Sequence, residues 1–144
     1  MTNAIHLNSS LTIVNDYEEI PRMTGWLCAE LERLGASAEV QYKFDFSANE
    51  LVTNVISYAY ADAARHEITL KLWADEGKIY LEIVDDGVPF NPLEKPAQAQ
   101  PETLEDAAIG GLGIDLVRHY MDELEYRRSA SQNHLILGLQ FAGG

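Results

Sequence analysis

The sequence predicts an α+β fold, a two-layer α/β sandwich whose mixed, mostly antiparallel sheet carries helices on one face. Two segments with helical spacing, 15–35 and 37–60, come first. A pair of alternating strand patterns follows at 66–84, and two more, 124–127 and 135–141, close the chain. Because strands that alternate in polarity bury one face only, such a sheet needs a covering layer of helices.

The bulk composition bounds the class of protein. The chain has 144 residues, which predicts a single domain over 1–144. Its net charge is −13, from 10 Lys and Arg against 23 Asp and Glu, and this acidic balance disfavours direct binding to nucleic acid. A phosphate-bearing ligand would therefore need a cation, local Lys or Arg, or backbone N–H groups. Without a basic leader pattern or an apolar run of about 18 residues, we expect a cytoplasmic protein with no membrane span.

Several motif classes are absent from the sequence. A single cysteine, Cys28, excludes an internal disulfide and a thiolate metal cluster. The four histidines, His6, His66, His119 and His134, are scattered and show no metal-site spacing. There is no Walker A sequence and no nucleophile elbow of the G-x-S-x-G type.

The first third of the chain predicts an edge strand and a helix. The segment 4–14 mixes β-branched and polar residues, with a turn expected at 8–10. Asn15 or Asp16 suits an N-cap, and Gly35 suits the helix end. The helix is predicted to bury an apolar stripe made of Ile20, Met23, Trp26 or Leu27, Leu31 and Leu34.

The second helical segment carries a polar pair beside its apolar stripe. Glu50 and Asn54 are four residues apart, so they lie one above the other on one face of the helix. That face adjoins the predicted buried set Leu51, Val52, Val55, Ile56 and Ala59. The pair taken alone fits an ordinary solvated Glu/Asn contact as well as a functional one.

The hairpin delivers the chain to an acidic turn. Its strands alternate Ile68, Leu70, Leu72 and then Ile79, Leu81, Ile83, and the second strand ends at Asp85-Asp86-Gly87. A strand that stops on a carboxylate and a glycine leaves bare backbone at a sheet edge. This is a place for a ligand.

A proline-rich lid at about 90–111 leads to a glycine cluster, Gly110 to Gly113. A helix is predicted over 112–121, and its inward residues are Leu112, Leu116 or Val117, Tyr120 and Met121. The turn between the last two strands is expected at 129–133.

Together these elements suit a purine nucleoside triphosphate. A buried Asp85 would accept the exocyclic amine of adenine, which guanine lacks at that position. Gly87 lets backbone approach the base, and a helix that opens on glycines offers free N–H groups to phosphates. Asn54 is a neutral oxygen ligand that suits Mg²⁺, and Glu50 is placed to accept a proton from a nucleophile near that metal.

Three motifs in this order resemble the Bergerat-fold (GHKL) ATPases, and within them the stand-alone anti-sigma-factor serine kinases of the RsbW and SpoIIAB type. The first is Glu50-Leu-Val-Thr-Asn54 with Tyr58-Ala-Tyr60, which is similar to the N box. The second is Asp85-Asp-Gly87-Val-Pro-Phe-Asn-Pro92, and the third is Gly110-Gly-Leu-Gly113-Ile-Asp-Leu-Val117. The resemblance extends over nearly the whole chain, from about residue 4 to residue 141.

The resemblance implies roles for the matching residues. Glu50 would be the catalytic base, and Asn54 would ligate Mg²⁺ between the phosphates of ATP or ADP. Gly111 and Gly113 would close the lid over those phosphates. The implied nucleotide-binding set is Asn54, Asp85, Gly87, Pro89, Gly110, Gly111, Leu112, Gly113 and Lys95.

Departures from the family pattern affect the details. Pro89 takes the place of the second glycine in the first glycine box, as in stand-alone members. Tyr58 stands where many members have histidine. Lys95, the lid's only cation, is either a phosphate contact or a solvated lysine, and Arg118 either reaches phosphate or pairs with surface acids.

The resemblance also implies a function and partners. It implies an anti-sigma regulatory factor, a serine/threonine protein kinase that acts on a STAS-domain anti-sigma antagonist or holds a sigma factor, and a homodimer. Two alternatives remain open, a nucleotide-dependent binding module without kinase activity and an ATPase that acts on water.

Overall fold

The computed structural model of the protein describes residues 8–94 and 112–141, with Leu112 described by its backbone alone. The strands and helices follow the predicted order. They are β1 (Asn8–Val14), a 3₁₀ turn (Tyr17–Glu19), α1 (Ile20–Arg33), α2 (Ala38–Tyr58), β2 (Glu67–Asp75), β3 (Lys78–Asp85), a 3₁₀ turn (Pro92–Glu94), α3 (Leu112–Tyr120), β4 (Glu123–Ser129) and β5 (Gln132–Gln140).

The five strands form one sheet in the order β1-β2-β3-β5-β4. Every pairing between these strands is antiparallel, so the sheet is more uniform than the mixed one expected. Two hairpins, β2–β3 and β4–β5, are joined along the β3–β5 seam. The first hairpin turns at Glu76 and Gly77 and the second at Ala130 and Ser131, and all four residues have positive φ.

The turn predicted at 8–10 is wrong, because β1 runs through these residues. Asn8 pairs with Trp73 and Ser10 pairs with Lys71. Of the polar side chains that suggested a turn, those of Asn8 and Ser10 lie on the exposed face of an edge strand, where they meet water. On the other face, Ser9 Oγ accepts a 3.0 Å hydrogen bond from Trp26 Nε1.

The two N-terminal helices begin and end as the sequence predicts. Asp16 accepts a 2.9 Å hydrogen bond from the Glu18 N–H and so caps the 3₁₀ turn that enters α1. Gly35 follows α1 with φ of 83°, a conformation that glycine adopts without strain. Ser37 caps α2 by accepting from the Val40 N–H.

The core lies between one face of the sheet and the three helices. Its fully buried larger side chains are Ile13, Met23, Leu27, Leu31, Phe44, Leu51, Ile68, Leu70, Leu72, Ile79, Leu81 and Ile83. In α3 the inward residue is Val117, whereas Leu116 is 40% exposed. In α1, Leu27 is buried and Trp26 packs at the margin of the core. Within the two described ranges, none of the helices is long and apolar enough to cross a membrane.

Candidate functional site

Asp85 ends β3 inside the protein, with 2% of its surface exposed. Its Oδ1 accepts hydrogen bonds from the Gly87 N–H at 2.8 Å and from Asn133 Nδ2 at 2.9 Å. Burial raises the pKa of this carboxyl group, and the two hydrogen bonds oppose that shift. Both donors reach the same oxygen, so among the described residues no hydrogen bond to Oδ2 is formed.

Asn133 holds this carboxylate in place. It lies opposite Asp85 in the β3–β5 register and is 1% exposed. Its Nδ2 donates to Asp85 and also to the main-chain carbonyl of Val88, at 2.8 Å. Its Oδ1 accepts from the Tyr126 hydroxyl at 2.5 Å and from Arg128 Nη1 at 3.1 Å. Both ends of the Asn133 amide are therefore satisfied, and β5 is tied to the turn after β3.

The turn after Asp85 packs against the end of α2. The Val88 N–H donates to the carbonyl of Ala59 at 2.7 Å, and Arg128 Nη1 donates to the carbonyl of Gly87 at 2.8 Å. A Cβ atom at Gly87 would overlap the Ala59 backbone. Glycine is therefore required here by close approach between two pieces of backbone.

Glu50 and Asn54 lie one above the other on α2, as predicted. Asn54 is buried, and its Nδ2 donates to the Glu50 main-chain carbonyl at 2.8 Å and to Glu50 Oε2 at 3.4 Å. Hydrogen bonds within the described residues use only the nitrogen of this amide, so Asn54 Oδ1 is available. Its burial argues against a plain solvated pair.

Helix α3 brings Gly113 of the third motif against Glu50. A Cβ atom at Gly113 would overlap the Glu50 carboxyl group, so the start of α3 lies directly against it. Ile114 and Val117 are buried in the core on the α2 side. The catalytic candidate and one residue of the third motif are thus neighbours in space, although they are more than sixty positions apart in the sequence.

One helix connects the two halves of the candidate site. Glu50 and Asn54 lie in the second half of α2, and Ala59, which the acidic turn contacts, is its C-cap. At 1.5 Å per residue, Glu50 and Ala59 are about 14 Å apart along the axis. This separation is comparable to the length of an extended nucleoside triphosphate.

Some predicted residues fall outside the part of the chain that the structure describes. These are Lys95, Gly110, Gly111 and the side chain of Leu112, together with most of the lid predicted at 90–111. At the beginning of that segment, the guanidinium of Arg118 donates to the main-chain carbonyl of Leu93. This contact occupies one of the five guanidinium donors, so the two expectations for Arg118, a phosphate contact or a pairing with surface acids, both stay predictions.

Pro89 and Tyr58 are both exposed at the surface near the acidic turn. Pro89 borders a cavity of about 310 Å³ together with Gly87, His66 and Arg128. Asp85 and Asn54 do not line this cavity. Tyr58 is 56% exposed and lies 5.9 Å, between ring centroids, from Phe90.

The sequence reasoning missed Asn133, Arg128 and His66. Asn133 was assigned to a turn, whereas it is the second residue of β5. A signal for it exists, since Asn133 has the same parity as Leu135 and Leu137 and must therefore face the core. Parity alone would have identified a buried amide that needs polar partners.

Known proteins with similar sequences were found along most of the chain. The family of the histidine kinase-like ATPase domain matches residues 13–139. The serine/threonine-protein kinase BtrW of Bordetella bronchiseptica is 32% identical over 101 residues, which cover 70% of this chain and 71% of that protein. The serine-protein kinase RsbW of Bacillus subtilis is 24% identical over 136 residues, 92% of this chain and 81% of that protein.

Two further comparisons agree. An anti-sigma F factor of a Thermoanaerobacter species is 28% identical over 97 residues, 67% of each chain. A crystal structure of the RsbU and RsbW domains of a Mycobacterium tuberculosis protein superposes with a TM-score of 0.65 at 14% identity. It matches 94% of this chain, which spans 32% of that longer one, and at this identity it shows the fold. With the family match over most of the chain, the protein belongs to the histidine kinase-like ATPase domain family.

Proposed function

We propose that this protein is an ATP-dependent serine/threonine protein kinase that works as an anti-sigma regulatory factor. Its substrate would be a serine or threonine hydroxyl of a STAS-domain antagonist, and a sigma factor would be its second partner. Support comes from the family and from the relatives, which are named serine kinases and anti-sigma F factors.

One observation carries the proposal, the buried Asp85 carboxylate, one oxygen of which accepts no hydrogen bond from the residues that the structure describes. Asn133 and Gly87 hold Oδ1, so the direction of the free Oδ2 is fixed before any ligand arrives. A fixed acceptor in a buried site selects a ligand that presents a donor there, as the exocyclic amine of adenine does. The carboxylate would disfavour guanine, whose carbonyl oxygen would meet it.

The described side chains also suit a magnesium ion. Mg²⁺ prefers oxygen ligands and keeps several waters, so one or two protein oxygens together with phosphates suffice. Asn54 Oδ1 would be such a ligand, with the Glu50 carboxylate one helical turn away. The ion would neutralise charge on the phosphates, and this chain is itself acidic.

Glu50 would act as the catalytic base. It would take the proton of the attacking hydroxyl while the hydroxyl oxygen bonds to the γ-phosphorus of ATP, and the bond to the β-phosphate oxygen breaks to release ADP. Gly113 has no side chain, which leaves room for the Glu50 carboxyl group. In such transfers positioning and charge neutralisation provide most of the rate, and the rigid α2 helix supplies the positioning.

The proposed experiment compares Glu50→Gln with wild type. The variant should keep its affinity for Mg²⁺-ADP, measured by calorimetry, and should lose phosphate transfer to a cognate STAS partner by about 10²–10⁴-fold. Glu39→Gln is a matched control, since Glu39 lies in the first turn of the same helix and makes a surface ion pair with Lys43. Equal transfer by wild type and Glu50→Gln would remove Glu50 from the role of base.

Two other functions follow from the same site. Failure of wild type to phosphorylate any STAS partner, with ADP binding intact, would identify a nucleotide-dependent binding module. Steady release of ADP without a protein partner would identify an ATPase that acts on water. A pull-down with and without Mg²⁺-ATP would identify the sigma factor or antagonist, and sedimentation would test for a homodimer.

A further inference from the structure

His66 lies between two carboxylates that belong to different parts of the fold. Its Nε2 is 2.8 Å from Asp62 Oδ1, in the loop that follows α2. Its Nδ1 is 3.2 Å from Asp86 Oδ1, in the acidic turn that follows β3. One imidazole ring therefore bridges the end of the helix that carries Glu50 and the turn that carries Asp85.

This geometry favours a charged ring. A neutral imidazole has one N–H donor and one bare nitrogen, whereas the imidazolium ion has two donors. Both neighbours of His66 are acceptors, so the neutral ring would turn a lone pair towards one of them. The hydrogen bond to Asp62, and then the charge of Asp86, raise the pKa of His66 above its ordinary value.

The ring is also fixed by its other contacts. It stacks on Tyr60 with a centroid distance of 4.5 Å and an interplanar angle of 17°. Burial raises the pKa of Tyr60, which therefore stays neutral and adds no charge to the stack. The backbone of His66 is held by Asn15, whose Oδ1 accepts from the His66 N–H at 2.9 Å.

A cationic side chain of β4 lines the same cavity as the ring. Arg128 borders the same cavity of about 310 Å³ as His66, and it holds the Gly87 carbonyl. Two side chains therefore hold the acidic turn: Arg128 donates to the Gly87 carbonyl, and His66 contacts the Asp86 carboxylate. Asp86 and Gly87 directly follow Asp85 in the chain, so the positions of Asp86 and Gly87 set the direction of the Asp85 side chain.

We infer that His66 is a positioning residue for the nucleotide site, a cationic clamp that holds the Asp85–Gly87 turn against the end of α2 and weakens nucleotide binding when it loses its proton. The effect on nucleotide binding rests on the proposed function, whereas the effect on the turn does not. In the protonated state both carboxylates are held. The neutral ring can donate to only one of them. The negative charge of Asp86 is then less neutralised, close to the buried Asp85 carboxyl group.

The direction of the pH effect follows from the charge. Because the folded pKa of His66 is raised, the clamp is complete at low pH and is lost as the pH rises through that value, above the ordinary 6.5. The affinity for ADP should fall over the same range. For partly exposed ion pairs the expected change is about threefold to fivefold.

The test compares wild type with His66→Gln from about pH 6 to about pH 9, because this range brackets an ordinary or raised histidine pKa. Gln retains one donor and does not titrate. The ratio of the variant's Kd for ADP to that of wild type should start at about three to five and approach one as the pH rises. Because both dissociation constants are measured with ADP at the same pH, any effect of the ionisation of ADP cancels in the ratio. His134→Gln is the matched control, since His134 pairs with Glu82 on the other face of the sheet, and its ratio should not change with pH.

A second measurement needs no nucleotide. In the free protein, NMR should show the His66 ring with both nitrogens protonated at pH 6, and the Gly87 amide shift should move with the same midpoint as the ring. In His66→Gln the Gly87 amide should not titrate there. The inferred role of His66 would be wrong if its ring were neutral at pH 6. It would also be wrong if the Gly87 amide chemical shift did not change as the ring titrates. A ratio of ADP dissociation constants that does not change with pH would overturn the effect of His66 on nucleotide binding. If the protein did not bind ADP at any pH, the proposed function would be wrong, and the NMR measurement alone would test whether His66 holds the turn.

Discussion

Asn133 Nδ2 lies 2.9 Å from Asp85 Oδ1, across the seam at which the two hairpins meet. Both residues are buried to at least 98%. The amide supplies a donor to a carboxylate that burial would otherwise leave under-solvated, and it also satisfies Tyr126 and Arg128 through its oxygen. A single side chain thus links the candidate adenine-binding carboxylate to both strands of the last hairpin.

Asn133→Ala should therefore destabilise the protein markedly. The change removes the donor from Asp85 and the acceptor from Tyr126, and it leaves a buried carboxylate poorly compensated. We expect the free energy of unfolding to fall by about 2–4 kcal/mol, as measured by urea denaturation. Gln140→Ala, at the exposed end of the same strand, is the control and should change it by less than about 0.5 kcal/mol. A similar small loss in both variants would show that the Asn133 network adds little.

Asp85→Asn should separate binding from stability. The variant replaces a charged acceptor by an amide, so the affinity for ADP should fall by about 1.5–3 kcal/mol, roughly tenfold to a hundredfold in Kd. Stability should change little, because burial already disfavours the charged form and raises the pKa of Asp85. Calorimetry and thermal unfolding would measure the two quantities, with the exposed Asp75→Asn as control. Unchanged ADP affinity would reject Asp85 as the adenine contact.

Gly113→Ala should mainly reduce catalysis, whereas Gly87→Ala should mainly reduce stability. In Gly113→Ala the atoms nearest to the added methyl group belong to the carboxyl end of Glu50, which can swing aside. We expect a small change in the free energy of unfolding, below about 1 kcal/mol, and a large loss of phosphate transfer because Glu50 is displaced. Gly87→Ala meets the backbone of Ala59, which cannot move alone, and should cost about 1–3 kcal/mol.

Gly25→Ala is the control for both. Gly25 lies within α1, with no other atom near the added methyl group, so alanine should stabilise the helix by about 0.5–1 kcal/mol. Normal phosphate transfer by Gly113→Ala would show that the position of Glu50 at α3 does not matter for catalysis.

Glu19 should make stability depend on pH in the acid range. Hydrogen bonds from Arg22, and then from the Val14 N–H, lower the pKa of this carboxyl group to about 2. A lowered folded pKa means that its contribution is complete above the unfolded pKa of about 4.5 and is lost as the pH falls towards 2. Glu19→Gln should thus melt below wild type at neutral pH.

Thermal unfolding of wild type and Glu19→Gln at a series of pH values would test this. The difference in Tm should shrink as the pH falls below about 4. Glu18→Gln is a suitable control, since Glu18 makes no ion pair within the part of the chain that the structure describes. A difference that stays constant down to acid pH would show that the Glu19 ion pairs do not contribute.

Local patterns account for most of what the sequence predicted. The alternation of Ile79, Leu81 and Ile83 identified β3 and placed Asp85 at its end, because strand periodicity depends on neighbours in the chain. Helical spacing placed Glu50 above Asn54 for the same reason. What failed was local chemistry read without context, as at Ser9 and its neighbours, where an edge strand tolerates polar residues.

The part of the site that the sequence did not predict depends on pairing between segments that are distant in the chain. Asn133 faces Asp85 because of the β3–β5 register, and no periodicity within either strand encodes that pairing. The turn predicted at 129–133 contains the observed turn, which is tighter because Ala130 and Ser131 adopt positive φ without glycine or asparagine, so Asn133 falls in β5. His66 was one of four scattered histidines, and its partners come from two loops that the fold brings together.

The β3–β5 seam joins hairpins that are separated along the chain by the acidic turn, the segment predicted to form a lid, and α3. If the last hairpin opened as a unit while β1, β2 and β3 stayed paired, it would carry Asn133 away from Asp85. A nucleotide held by Asp85, as proposed, would bind only the closed form and would therefore shift the equilibrium towards that form. The amides of β4 and β5 should then exchange with deuterium more slowly when ADP is present, although they line the far side of the seam.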